Sequence, residues 1–140
     1  MNDTQKDKLK NELSLFFINL EESISKALKK ERNSKARTKL GELSKACFKI
    51  IKTEGFYNCI VNSVDEMTKN EQKSIQLLQL EIEYFNIKCE GEEDGFSTED
   101  GITNGKTVKD SIEKLFSMPK WAKKVLKVLN ELLSIVKTLV

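Results

Sequence analysis

The sequence predicts an all-α fold, an antiparallel bundle of four to five helices with one long acidic loop at about residues 89–105. Three observations predict it. Apolar side chains recur at three- and four-residue steps through most of the chain, the period of a helix face. One proline and six glycines leave little punctuation for the tight turns of a sheet. Capping patterns stand just ahead of the periodic stretches, where a helix must satisfy its free N–H groups.

The first helix is expected from about 4 to 31. Leu9, Leu13, Phe16, Phe17, Leu20, Ile24, Ala27 and Leu28 share one face, and Thr4 with Asp7 resembles a capping box. Asn33-Ser34 breaks the pattern and can cap a second helix at about 34–67. Its stripe runs Leu40, Leu43, Cys47, Ile50, Glu54, Tyr57, Val61, Val64. Gly55 lies within that stripe, but the phase passes through it undisturbed, so one long helix is expected.

Thr68 with Glu71 forms a second capping-box pattern ahead of a third helix at about 69–88. Ile75, Leu78, Ile82 and Phe85 form its face, and Leu77, Tyr84 and Ile87 widen it enough to meet more than one neighbour. Residues 89–105 hold four glycines and six acids with no base, and are expected to be a mobile loop. Thr107 with Asp110 opens a short helix at about 107–116. Ser117-Met118-Pro119 restarts the chain into a last helix at about 119–139, because proline fits a first turn. Stripes joined by short turns pack as antiparallel neighbours, so residues 1–140 are expected to form a single helical domain.

Composition narrows the class. With 39% apolar and 33% charged residues, the chain is too patterned to be disordered and too charged to span a membrane. Met1-Asn2-Asp3-Thr4-Gln5-Lys6 lacks the apolar core of a secretory signal, so a cytoplasmic protein is expected. The three cysteines have no CxxC spacing and are read as reduced thiols, with Cys47 as a small buried hydrophobe. Charge is unevenly spread. Residues 1–88 carry +3, 89–105 carry −6 and 106–140 carry +5.

Chemistry is constrained by what is missing. Without histidine there is no Ser-His or Cys-His pair, no HExxH zinc site and no ExxH iron site. The carboxylate pairs Glu21-Glu22 and Glu81/Glu83 fall on charged outer faces, where nothing would tune one into an acid and the other into a base. No enzyme activity, catalytic residue, cofactor, metal or small-molecule substrate is therefore expected. Gly101-Ile102-Thr103-Asn104-Gly105-Lys106-Thr107 resembles a phosphate loop but is one residue short between its glycines and follows an acidic segment. It reads as a glycine turn with Thr107 as an N-cap. Glu92, Glu93, Asp94, Glu99 and Asp100 offer hard oxygen ligands, but they do not match a calcium loop and read as a solvated linker.

Two basic segments are candidates for anionic surfaces. The first is the turn carrying Lys26, Lys29, Lys30, Arg32, Lys35, Arg37 and Lys39, with Glu31 as its one acid. The second is the last helix, where Lys120, Lys123, Lys124 and Lys127 oppose Trp121, Val125, Leu126, Leu129 and Leu133, the candidates for a partner or lipid. Nucleic acid is disfavoured, since no aromatic is interleaved with the basic turn. Two expectations follow. One is a protein–protein interaction or oligomerisation module, binding a protein partner or itself. The other is a membrane-active bundle that uses the 26–39 turn and the 119–140 helix on anionic lipid.

Overall fold

The computed structural model describes residues 1–91 and 95–139, leaving aside the side chains of residues 54 and 137–139. Among the described residues are six α-helices, one 3-10 turn and no strand. Helix α1 (Asp3–Lys30) starts one residue earlier than expected. Its capping box is built by Asn2 and Gln5, not Thr4 and Asp7. Asn2 Oδ1 accepts from the Gln5 N–H at 2.8 Å, and Gln5 Oε1 accepts from the Asn2 N–H at 2.9 Å. Glutamine is long enough to reach back to the cap, and aspartate is not. The predicted apolar face of α1 is buried from Leu9 to Ala27.

The turn after α1 is fully wired. Arg37 Nη1 donates to the carbonyls of Leu28 and Glu31 at 2.8 and 2.9 Å, closing the end of α1. Asn33 Oδ1 accepts from the Ala36 N–H at 3.1 Å and starts α2 (Ser34–Lys52).

The single long helix expected over 34–67 is broken, and not at Gly55. Thr53 adopts an extended conformation, and α3 (Glu54–Asn62) follows, then the 3-10 turn Ser63–Glu66. The Thr53 hydroxyl donates to the Lys49 carbonyl at 2.6 Å, so the break leaves that acceptor satisfied. The bend lays Phe56 and Tyr57 over Phe17, with ring centroids 5.6 and 6.4 Å away. Phe56 and Ile60, absent from the predicted stripe, are fully buried.

Helix α4 (Lys69–Glu90) opens on the expected Thr68–Glu71 capping box. Helix α5 (Thr98–Leu115) is much longer than the expected 107–116. Ser97 Oγ accepts from the Asp100 N–H at 3.1 Å and is the cap. Thr107 lies inside the helix, its hydroxyl donating to the Thr103 carbonyl. Of the expected 89–105 loop, Cys89 and Glu90 end α4 and residues 98–105 belong to α5, while residues 92–94 lie outside the described residues. Glycine disfavours a helix by about 1 kcal/mol, and here packing reverses that preference. A Cβ on Gly105 would stand 2.5 Å from Leu20 Cδ1, and one on Gly101 3.0 Å from Ser23 Oγ. The two glycines let α5 approach α1 closely enough to bury Ile102, Val108 and Ile112. Helix α6 (Lys120–Leu139) follows Pro119, whose carbonyl accepts from the Lys123 N–H.

Helices α2 and α3 return along α1, as Ser44–Glu21 and Lys6–Asp65 contacts at 2.9 and 2.6 Å fix. Helix α4 then runs beside α1 in the same direction. Gln79 meets Glu12 at 3.2 Å, and the buried Asn19 amide donates to Asn86 at 3.0 Å. Consecutive rods are thus antiparallel, while the neighbours α1 and α4 are parallel. Helix α5 descends against α1 and α4, and α6 packs chiefly on α2. Phe16, Phe17, Phe56 and Phe85 meet at the centre.

Candidate interaction surfaces

The five-turn amphipathic pattern of α6 is split by its packing. Ala122, Leu126, Leu129, Leu133 and Val136 are buried against the core. Leu126, Leu129 and Leu133, expected to face a partner or lipid, are therefore enclosed. They are the helix's inward face, and α2 and α5 already cover it. Trp121 and Val128 remain 41% and 49% exposed, and Val125 is partly buried at the edge. Trp121 packs edge-on against Phe56 at 6.3 Å, at the C-terminal end of α2. Lys120, Lys123, Lys124 and Lys127 are exposed on the outer face.

Between α2 and α6 lies a groove of about 400 Å³. Its floor is Ala46, Val125, Val128 and Leu132, and Glu42, Lys45 and Lys49 border it. Lys45, Phe48, Lys49 and Lys52 continue the outer ridge of α2, where the Lys52 ammonium sits 5.8 Å from the Phe48 ring centre. These α2 residues were not among the sequence candidates. Their i, i+4, i+7 spacing was visible, but only packing shows which helix lies beside them.

The basic turn stands elsewhere. Lys26, Lys29, Lys30, Arg32 and Lys35 are exposed, Lys39 is half-buried 3.5 Å from Glu42, and Arg37 is committed to closing α1. This turn is at the N-terminal end of α2, and Trp121 is at the other. The 19 residues of α2 rise about 28 Å, so the two basic candidates do not form one patch.

Helix α4 carries a second apolar face. Leu77, Leu80, Tyr84 and Ile87 are 65%, 62%, 53% and 68% exposed, in steps of three, four and three. They lie opposite Ile75, Leu78, Ile82 and Phe85, which are buried. The expected wide face is in fact two faces back to back. The sequence reading omitted Leu80, which completes the outer one. Its borders carry Lys69 and Lys73 near the N-terminus of α4, and Glu81, Glu83 and Glu90 toward its C-terminus. Lys88 leans over the Tyr84 ring at 5.9 Å, and Glu83 lies 3.8 Å from Lys8.

The interior holds titratable groups that the sequence reading placed outside or passed over. Glu21, expected on a charged outer face, is buried, and its carboxylate accepts from the Ser25 and Ser44 hydroxyls. It turns inward because α2 crosses α1 there. Nearby, burial first and then the Glu21 charge push the Cys47 thiol well above its ordinary range, so it is the inert buried hydrophobe that was expected. Burial pushes the Tyr57 phenol up to about 12, only partly offset by Ser14. Lys109 is fully buried, its ammonium 3.1 Å from Asp110 and 3.0 Å from Glu113. Burial alone would raise the Asp110 carboxyl, but Lys106 and Lys109 outweigh it and hold the group below its ordinary range.

Of the acidic linker, Glu92, Glu93 and Asp94 lie outside the described residues, and Glu99 and Asp100 are exposed in the first turn of α5. Gly101–Thr107 is helical and packed, not a phosphate-binding loop or a turn. Among the described residues no helix is long and apolar enough to cross a membrane. No protein-family model, curated protein or solved structure matches the chain, so its surfaces have to be read from their own chemistry.

Proposed function

We propose that this chain is a non-enzymatic interaction module that docks another protein or assembles with itself. The observation that carries the reading is the outer face of α4. Four large apolar side chains stand in solvent at coiled-coil steps, directly opposite the face that builds the core. Burying what they still expose would contribute on the order of 4 kcal/mol, a sizeable fraction of a domain's stability. The groove between α2 and α6 supplies a second apolar surface of the same kind.

Anionic lipid is the second reading, favoured by the exposed Trp121 beside Lys120, Lys123 and Lys124. It is weaker than the sequence suggested. Releasing α6 into a bilayer would uncover Ala122, Leu126, Leu129, Leu133 and Val136. That would cost on the order of 10 kcal/mol before lipid returned any of it.

Light scattering over a range of concentrations, paired with sedimentation against neutral and anionic vesicles, tests the two readings. Self-assembly without vesicle binding is the expected result. A strict monomer that pellets only with acidic vesicles, and loses that on Lys123→Glu with Lys127→Glu, would replace the interaction reading with the lipid one. For a partner other than itself, a photo-crosslinking side chain at position 80 should trap a discrete adduct in cells. The same group at the exposed polar position 107 on α5 should trap none.

A further inference from the structure

The outward side of α4 changes charge along its length. Lys69 and Lys73 stand toward its N-terminus and Glu90 at its C-terminus, and among the described residues none of the three makes an ion pair. The flank of α4 that meets α1 has the same polarity. Its N-terminal half borders a cleft of about 440 Å³ lined by Lys8, Lys69 and Lys73, with glutamines between them and no acid. Its C-terminal half carries Glu83 and, two turns on, Glu90.

We infer that α4 pairs with α4 of a second copy, antiparallel about a two-fold axis, in a closed dimer. The inference rests on the interaction reading above and names the partner as this chain itself. Leu77 lies against the partner's Ile87 and Leu80 against the partner's Tyr84, so the exposed stripe is complementary to itself. In that register Lys73 falls opposite the partner's Gly91, whose missing side chain leaves room for the lysine to reach the partner's Glu90. A two-fold axis brings like flanks together, so the same Glu90 comes beside the cleft that holds Lys69 and Lys73. Symmetry repeats this pairing at the other end. Glu81 and Glu83 meet their own copies near the axis. Glu83 brings a cation with it, Lys8 at 3.8 Å, and Glu81 is exposed at the rim, where water and salt screen the repulsion.

Area agrees. With about 200 Å² for a large side chain fully in solvent, Leu77, Leu80, Tyr84 and Ile87 expose roughly 500 Å² in each copy. Two copies bury about 1,000 Å², the lower bound for a specific contact, before the flanking residues add theirs. A parallel pair buries the same stripe and offers Glu83 to the partner's Lys88. It also sets Lys73 against Lys73 on the seam, gathers both Glu90 carboxylates at one end and brings no acid to the lysine cleft. The α2–α6 groove does not match both halves of α4. Lys45 and Lys49 border it, and its Glu42 is already held 3.5 Å from Lys39.

Analytical ultracentrifugation over a concentration series reads the assembly, and circular dichroism confirms that each variant stays helical. The wild-type chain is expected to stop at two copies. Leu80→Glu, at an exposed position, should weaken the dimer about 100-fold, because the symmetric contact buries the new carboxylate twice. Val128→Glu, in the groove, should leave it unchanged. Lys73→Glu and Glu90→Lys should each weaken it about 10-fold, and the double variant should return close to wild type.

A double variant no tighter than the single ones overturns the antiparallel pairing. Growth beyond two copies, or loss of assembly in Val128→Glu, overturns it in favour of the groove. A wild-type chain that is monomeric at millimolar concentration overturns it too, and the position-80 crosslink then decides the broader reading. An adduct with a different protein leaves the interaction module standing, and silence removes it as well.

Discussion

Tyr57 carries its hydroxyl into the core without a well-formed hydrogen bond, and its pKa is raised to about 12 by that burial. The sign of the consequence follows. Below pH about 10 both folded and unfolded chains hold the proton, and stability is unaffected. Between about 10 and 12 only the unfolded chain ionises, so stability falls as pH rises. Tyr57→Phe should leave stability at pH 7 unchanged or raise it by up to about 1 kcal/mol, because an unpaired buried hydroxyl is removed. It should also flatten the alkaline decline, as urea titrations at pH 7 and pH 11 would read. Arg37 behaves differently. Its charge marked it for a surface site, but it spends two hydrogen bonds on the end of α1. Arg37→Ala should lower stability by about 1 kcal/mol, and Lys35→Ala, exposed beside it, by much less. The burial of Tyr57 was legible from its place in the apolar stripe, but the role of Arg37 was not, because a charge count does not say which cation meets a carbonyl.

At the scale of the element, α4 and α5 carry the lesson. The period of α4 was legible, but a helix apolar on two faces reads as one wide stripe until a core claims one side. Helix α5 was half missed, because glycines and acids at its start argue for a loop when only local preference is weighed. Its first turns are held by the fit of Gly101 and Gly105 against Ser23, Leu20 and Phe85. Gly105→Val should therefore cost about 1–3 kcal/mol by overpacking, in spite of valine's better helix propensity. A thermal melt would show it, and an unchanged or raised midpoint would mean that α5 stands off from α1. The break at Thr53 escaped notice for a related reason. The apolar phase continues across it, so the spacing of Ile50, Tyr57 and Val61 is compatible with one helix or two.

For the molecule as a whole, α6 decides whether the bundle is closed. Its inward residues cover α2, and a chain ending after Met118 would leave that part of the core in water. Such a truncation is expected to lose cooperative unfolding and to bind a hydrophobic dye, as in a molten globule. A truncated chain that melts cooperatively would mean that α6 is an appendage, and would reopen its release onto lipid. Asp110, held low by Lys106 and Lys109, sets an acid limit. The stability it contributes is complete above the ordinary carboxylate pKa and is lost as pH falls through its lower folded value. Asp110→Asn should therefore be less stable than wild type at pH 7, and the gap should close on acidification, read from urea midpoints at pH 7 and pH 3.

The sequence by itself determined that the chain is helical, where α1, α2, α4 and α6 begin to within a residue or two, and which apolar side chains of α1 face inward. Those follow from short-range causes: the helical period of the apolar residues and the reach of a cap side chain. The tertiary structure decided the rest. It set α1 and α4 parallel, extended α5 through the acidic stretch, buried Glu21 and Lys109, enclosed Leu126, Leu129 and Leu133, and left Leu77, Leu80, Tyr84 and Ile87 outside. Burial belongs to pairs of helices, and a stripe on one rod does not say which other rod will lie against it.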